Sequence, residues 1–263
     1  MKLFNVLMLV ALPFCAMSQG RKIYYNDKDV KVEKDNASFY VLYKPRPDGK
    51  YDVEKRTANG DSLRYTGVSS AGDSVQGEGH YTYYFSSGFV SSEGDFKADK
   101  REGLWKHYHD SDSHVWYTDE FTHNKRNGTL TSYYKEGKIK RKEQFADSVS
   151  KGGTCWNEDG TEIKFTPFEI FPHPQYNLMQ YLSNTIHYPE KARRKNIEGR
   201  VMVYFVVNKD GSISDVSVKK GVHYLLDEEA VRVIENMTNW EPGMVDDEKV
   251  RVAYTQPITF RLQ

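Results

Sequence analysis

The chain is short of cysteine, of proline and of long apolar segments. Its 263 residues include 2 Cys and 9 Pro. No apolar run reaches about 18 residues, the length at which a membrane-spanning helix is expected. Cys15 lies in the N-terminal segment, so a chain that loses this segment keeps only Cys155 and can form no internal disulfide. We expect Cys155 to pack as a small apolar side chain.

The chain also lacks net charge and any recognisable catalytic group. Its 37 basic and 37 acidic residues cancel, so no overall field attracts it to nucleic acid or to anionic lipid. Its motifs supply no combination of nucleophile, base and oxyanion donor. The sequence therefore predicts a protein that is not an enzyme, has no cofactor and no metal site, and does not bind nucleic acid.

Residues 1–18 have the pattern of a signal peptide. Lys2 supplies the positive start, an apolar stretch follows, and Ala16-Met17-Ser18 is a small-x-small cleavage site. Cleavage after Ser18 would place the protein in the periplasm or elsewhere in the cell envelope. A membrane-anchored form that retains the segment is the alternative.

Glycines mark a repeat in the middle of the chain. Gly79, Gly103, Gly128 and Gly153 follow one another at intervals of 24 or 25 residues. Such a period indicates stacked supersecondary units, and alternating aromatics with turn glycines make each unit a β-hairpin. A single hairpin is not stable in water, so neighbouring hairpins must pair into one continuous antiparallel sheet.

We therefore predict an all-β repeat sheet over residues 79–163. Residues 19–78 are predicted to be a β-rich N-terminal cap or degenerate repeats of the same sheet, because a stack of repeats needs a protected end. The best copy of the repeat is Gly103-Leu104-Trp105-Lys106-His107-Tyr108. This copy resembles a divergent MORN repeat, and the resemblance implies contacts with proteins or lipids, or an architectural role alone.

The aromatic side chains of the repeats have two interpretations. They could form an exposed binding face, or they could pack across the sheet as its core. Cross-strand aromatic pairs are an ordinary way to stabilise such a sheet, which favours the second interpretation. The residues concerned are Tyr81, Tyr84, Trp105, Tyr108 and Tyr133.

A proline-bearing segment, residues 164–176, is predicted to link the repeats to a last domain over 177–263. Within that domain the apolar run 201–207 is typical of a central strand. Apolar residues over 226–237 have helical spacing and should cover the sheet. The sequence thus predicts an α+β domain after the repeat sheet.

Six motifs follow one another in this last domain. They are Tyr188-Pro189, the strand 199–205, Asp210-Gly211, the helix start 227–230, Trp240-Glu241-Pro242-Gly243 and Pro257-Ile258-Thr259-Phe260. In this order and spacing they resemble the C-terminal domain of the TonB family of energy transducers. The resemblance implies a small antiparallel sheet with two helices, and a domain that does no chemistry but binds partner proteins by strand addition to a sheet edge.

The final strand is the candidate binding edge. Its apolar and polar side chains alternate, and Pro257 restricts it to an edge or a bulge because proline has no N–H to donate. A long free edge is a template for an incoming strand. Shielding of the edge by its own charges, or by self-association, is the alternative. The residues assigned to the edge are Val250, Arg251, Val252, Ala253, Tyr254, Thr255 and Gln256.

As the resemblance implies, the partner would be an outer-membrane TonB-dependent receptor, and the process would be transport across that membrane. Inner-membrane energising proteins are further possible partners. An energy transducer should also have a retained membrane helix and a long proline-rich spacer, and the sequence shows neither clearly. The repeat sheet could replace the spacer as a stiff arm, a hypothesis that unchanged uptake after deletion of the repeats would exclude.

A different interpretation is a periplasmic scaffold or adaptor. Such a protein would bind its partner through the MORN-like repeats and use the C-terminal domain to form a dimer. An isolated C-terminal fragment distinguishes the two interpretations, because peptide binding supports docking and self-association alone supports the scaffold.

Overall fold

The computed structural model describes residues 20–262, and the chain divides into two compact units between Phe165 and Thr166. The predicted signal peptide, residues 1–18, lies outside the described residues, as do Gln19 and Gln263. Among residues 20–262 we find no helix with the length and apolar character needed to cross a membrane.

In the part of the first unit that the structure describes, thirteen strands form one antiparallel sheet. Each strand pairs with the next in chain order, with one exception: the two-residue strand Lys125–Arg126 pairs only with the strand before it, Val115–Thr122, which also pairs with the strand Gly128–Tyr133. The sheet is therefore a meander of hairpins, and the predicted cap region contributes strands to it. The strands are β1 (Arg21–Tyr25), β2 (Phe39–Pro45), β3 (Tyr51–Thr57), β4 (Leu63–Ser69), β5 (Gly79–Tyr84), β6 (Val90–Lys97), β7 (Lys100–Tyr108), β8 (Val115–Thr122), β9 (Lys125–Arg126), β10 (Gly128–Tyr133), β11 (Ile139–Ala146), β12 (Val149–Trp156) and β13 (Glu162–Ile163).

The turns of the hairpins show the repeat clearly. Asp99 and Asn124 both have positive φ, at 64° and 71°. The N–H of Asp99 donates to the carbonyl of Gly77 at 2.9 Å, and the N–H of Gly77 donates back to Oδ1 of Asp99 at 3.1 Å. The same reciprocal pair joins Asn124 to Arg101, and recurs at Ser148. These bonds connect each hairpin laterally to the one before it.

Rings that cover glycines form the core of this unit. Tyr81 and Trp105 are 2% and 0% exposed. A Cβ atom on Gly67 would lie 2.4 Å from the Tyr81 ring, and one on Gly94 would lie 2.4 Å from the Trp105 ring. Phe96 contacts both rings edge-on, with centroid distances of 4.9 and 5.2 Å. Each ring thus occupies the space that a glycine on the neighbouring strand leaves open.

The later repeats replace the ring and the glycine together. Leu130 and Cys155 take the ring positions and are buried, so Cys155 packs as a small apolar side chain. Buried Asp119 takes the position of the glycine. Its carboxylate accepts a hydrogen bond from Nε of Arg126 at 2.9 Å and lies 3.0 Å from Nε2 of His107. Pairing of this kind is what allows a carboxylate to be buried.

The second unit is an α+β domain. Its central strand β16 lies under α3, with Val201, Val203 and Phe205 packed against the helix residues Ala230 and Val233. The described residues of this unit contain three α-helices, where the resemblance implied two. The helices are α1 (Leu178–Thr185), α2 (Glu190–Arg194) and α3 (Tyr224–Glu235), and the strands are β14 (Glu169–Ile170), β15 (His173–Pro174), β16 (Gly199–Val207), β17 (Ile213–Lys220), β18 (Trp240–Glu241), β19 (Gly243–Val245), β20 (Glu248–Val250) and β21 (Val252–Phe260).

The structure of residues 164–176 differs from the predicted linker. From Thr166 onward it belongs to the second unit. β14 pairs with β19 and β15 pairs with β18, while Phe168 is 1% exposed and its carbonyl accepts from the N–H of Asp246 at 2.7 Å. A two-residue strand is too short to show an alternating pattern in the sequence. The prolines are therefore the only sequence signal in this segment, and they indicate a linker.

Candidate peptide-binding edge

The three-stranded sheet built on β16 has two edge strands. Among the described residues β16 is central, with β17 on one side and β21 on the other. β21 pairs with β16 in nine consecutive positions, from Val207 opposite Val252 to Gly199 opposite Phe260, without a register shift. Its other side is therefore a regular row of backbone groups, which is what an added strand requires.

The β17 edge is less suitable for an added strand. Its register against β16 shifts at two places, and Asp215 within it has a φ of 55°. The strand ends in Lys219 and Lys220. Bulges and lysines on an edge strand discourage pairing with another chain. The comparison of the two edges therefore favours β21.

Pro257 indicates which backbone groups of β21 face outward. It pairs with Met202 of β16 but has no N–H to donate, so it suits a position whose N–H would point away from β16. Alternate residues of a strand direct their backbone groups to the same side. Ala253, Thr255 and Thr259 therefore share the outward side with Pro257.

The start of the predicted edge is corrected by the structure. β21 begins at Val252, whereas Val250 belongs to β20 and pairs with Gly243. Arg251 lies between the two strands. The hairpin of β19 and β20 holds Val250, so the part of the predicted edge that β21 supplies is Val252, Ala253, Tyr254, Thr255 and Gln256.

Arg251 positions the start of β21. Its Nη2 lies 2.8 Å from Oδ2 of Asp215, and its Nε donates to Oδ1 of Asn208 at 2.9 Å. These partners belong to β17 and to the turn before it, about forty positions earlier in the chain. No local pattern could have revealed this role.

Tyr188 connects α2 to the far end of β21. Its hydroxyl donates to the carbonyl of Ile197 at 2.6 Å, and burial raises the pKa of this hydroxyl. The ring contacts Phe260 edge-on at 5.7 Å, and the Arg193 guanidinium lies 5.8 Å from the ring centroid. The Tyr188-Pro189 motif therefore fixes the helix that follows it at the end of the edge strand.

The candidate aromatic residues of the repeats do not form one exposed face. Tyr81 and Trp105 are buried in the core of the sheet, and Tyr84, Tyr108 and Tyr133 are half-buried. The Tyr108 hydroxyl donates to Oε1 of Glu93 at 2.7 Å on the opposite side from Trp105. Two of the five residues are thus inaccessible to a partner.

Comparison with known proteins identifies the domain that carries β21. The family described as Gram-negative bacterial TonB protein C-terminal matches residues 184–262. These residues form a TonB C-terminal domain. A similar solved structure is the NMR solution structure of Helicobacter pylori TonB-CTD, with 28% identity over 32% of this chain and 77% of that chain, at a TM-score of 0.27. No curated protein matches the chain.

The family match confirms the resemblance drawn from the ordered motifs. The TonB C-terminal family is non-enzymatic, belongs to the cell envelope and is associated with energy transduction to outer-membrane receptors. For the first unit the structure shows a long antiparallel sheet of hairpins, and its assignment to MORN repeats stays a prediction.

Proposed function

We propose that the TonB C-terminal domain docks extended peptides of outer-membrane TonB-dependent receptors by adding them as a strand to β21. The domain would thereby serve transport across the outer membrane. The observation that carries the proposal is the side of β21 that pairs with no other strand among residues 20–262, on a strand that is regular over nine residue pairs. Main-chain hydrogen bonds would supply affinity in this mode, and side-chain contacts would supply specificity.

The packing of β21 supports this role. Tyr254 stacks on Phe205 at 5.6 Å and contacts Trp240 at 5.7 Å, while Ile258 and Phe260 are buried. The strand is thus anchored by one row of side chains, and the residues between them stay accessible. An edge that is already rigid loses little conformational entropy when a peptide binds.

Replacement of Thr255 by proline tests the proposal. Thr255→Pro removes an outward N–H without removing a donor to β16, so the domain should fold while the added strand loses a hydrogen bond. We expect peptides copied from the N-terminal segments of TonB-dependent receptors to bind about tenfold more weakly, as the loss of one such bond with a steric clash implies. Isothermal titration with the full chain measures the change.

Thr255→Val is the matched control, because it alters the same side chain and keeps the N–H. It should bind the peptides as the natural chain does, and both variants should show similar melting temperatures. Undiminished binding by Thr255→Pro would show that β21 is not the docking strand.

A further inference from the structure

The far end of β21 lies among exposed cations. Arg200 is the second residue of β16, and Arg261 directly follows β21. α2 and the residue after it add Lys191, Arg193, Arg194 and Lys195, and all six of these side chains are exposed. The acidic residues in the same stretch are Glu190 and Glu198. The local charge is therefore strongly positive although the whole chain is neutral.

Two clefts meet at Arg261. One, of about 560 Å³, is lined by Arg261 together with Tyr188, Arg193, Asn196 and Leu262. The other, of about 480 Å³, is lined by Arg261 together with Glu198, Gly199, Arg200, Thr259 and Phe260. Arg193, Arg200 and Arg261 are called the basic end of β21 below.

The basic end is held in place by β21 itself. Arg193 lies over the Tyr188 ring, which packs on Phe260, and Nε of Arg200 donates to Oγ1 of Thr259 at 3.3 Å. Arg193 also pairs with Glu190, but both side chains are more than half exposed, so this ion pair is weak in water. The guanidinium groups therefore keep their capacity to bind another anion.

The two ends of the edge differ in charge. At the start of β21, the charge of Arg251 is balanced by the carboxylate of Asp215, 2.8 Å away, whereas the far end has six exposed cations and two acidic residues. At the far end, Arg200 lies on the face of the sheet opposite the helices and Arg193 comes from α2 on the other face. An extended chain added to β21 would run past this end of the strand, beside Arg261 and one strand away from Arg200 of β16.

We propose that the basic end binds acidic side chains that flank the extended peptide added to β21. The inference rests on the proposed function and names the chemistry of its ligand. Carboxylates fit arginine forks with two parallel hydrogen bonds, and at physiological ionic strength charges interact over about 8 Å. A peptide is favoured over a lipid surface because the cations are arranged around the end of the edge strand, on both faces of the sheet.

Synthetic peptides test the proposal with the full chain. Six fluorescent peptides share one Thr-Val alternating core, and each carries an Asp-Glu, an Asn-Gln or a Lys-Lys flank at one end or the other. In fluorescence anisotropy we expect the Asp-Glu peptide to bind about tenfold more tightly than the Asn-Gln peptide at low ionic strength. Salt at about 0.5 M should abolish the difference.

Two sets of substitutions show which cations cause the preference for the Asp-Glu peptide. The triple variant Arg193→Gln, Arg200→Gln and Arg261→Gln should bind the Asp-Glu peptide no better than the Asn-Gln peptide, with its affinity for the latter unchanged. Lys209→Gln with Lys219→Gln and Lys220→Gln removes the same charge near the other edge. This control should keep the preference.

The results separate the two proposals. Equal binding of the acidic and amide peptides by the natural chain would overturn the acidic flank and leave the docking edge standing. Failure of every peptide to bind, including peptides copied from the N-terminal segments of TonB-dependent receptors, would overturn both. If the triple variant instead loses binding to vesicles of phosphatidylglycerol and phosphatidylcholine, and no peptide preference exists, the cations serve a lipid surface and the inference is wrong.

Discussion

At the scale of the residue, the first unit depends on glycines that lie beneath aromatic rings. In Gly94→Ala the new Cβ would lie 2.4 Å from the Trp105 ring, which is fully buried and has no room to move. We expect the free energy of unfolding to fall by about 1–3 kcal/mol, as overpacking of a core does. Denaturant unfolding of the full chain measures the loss.

Gly60→Ala is the control for this substitution. The nearest atoms to its Cβ would be 3.7 Å away, so stability should barely change. Equal effects of the two substitutions would show that the rings are not packed on the glycines.

The same residues show what the sequence reveals at this scale. The spacing of Gly79, Gly103 and Gly128 revealed the repeat, and all three have positive φ. Gly67 and Gly94 carry no such local signal, because their role depends on a ring contributed by the next strand. The positioning role of Arg251 is not predictable from the sequence for the same reason, since its partners are distant in the chain.

At the scale of the element, long strands and helices were predictable, and short ones were not. The apolar run of β16 and the helical spacing of α3 are visible because each repeats its pattern several times. β14, β15 and β18 have two residues each, so their pairing depends on neighbours that bring them together. The predicted start of the candidate edge at Val250 differs from the structure for a similar reason, because β20 and β21 are adjacent in the chain and equally extended.

The segment before α1 gives a prediction at this scale. A fragment of residues 166–263 keeps β14, β15 and Phe168, whereas a fragment of residues 177–263 lacks them. Since Phe168 is 1% exposed, its loss alone should cost about 3–5 kcal/mol. We expect the shorter fragment to melt at a clearly lower temperature in circular dichroism. Equal melting temperatures would show that residues 164–176 do not stabilise the domain and are a linker.

At the scale of the whole molecule, the chain combines two different antiparallel sheet architectures. The first unit extends by adding hairpins in chain order and buries its rings within the sheet. The second unit covers one face of a small sheet with α3, and β21 is an edge strand of that sheet among the residues that the structure describes. The ordered motifs made the family of the second unit predictable, while the role of the first unit has no comparable signal.

The central claim is that a peptide adds to β21 and not to β17. Thr255 and Ser217 provide a matched pair of positions, because both pair with Tyr204 of β16, from opposite sides. Neighbouring antiparallel strands bring opposite Cα atoms to about 4.5–5.5 Å, within reach of a disulfide.

The most direct measurement is therefore disulfide trapping in the full chain with Cys15 and Cys155 replaced by alanine. A receptor-derived peptide with one central cysteine is offered to Thr255→Cys and, separately, to Ser217→Cys. We expect rapid cross-linking to Thr255→Cys, suppressed by excess cysteine-free peptide, and little cross-linking to Ser217→Cys. Preferential cross-linking to Ser217→Cys, or none to Thr255→Cys, would contradict it.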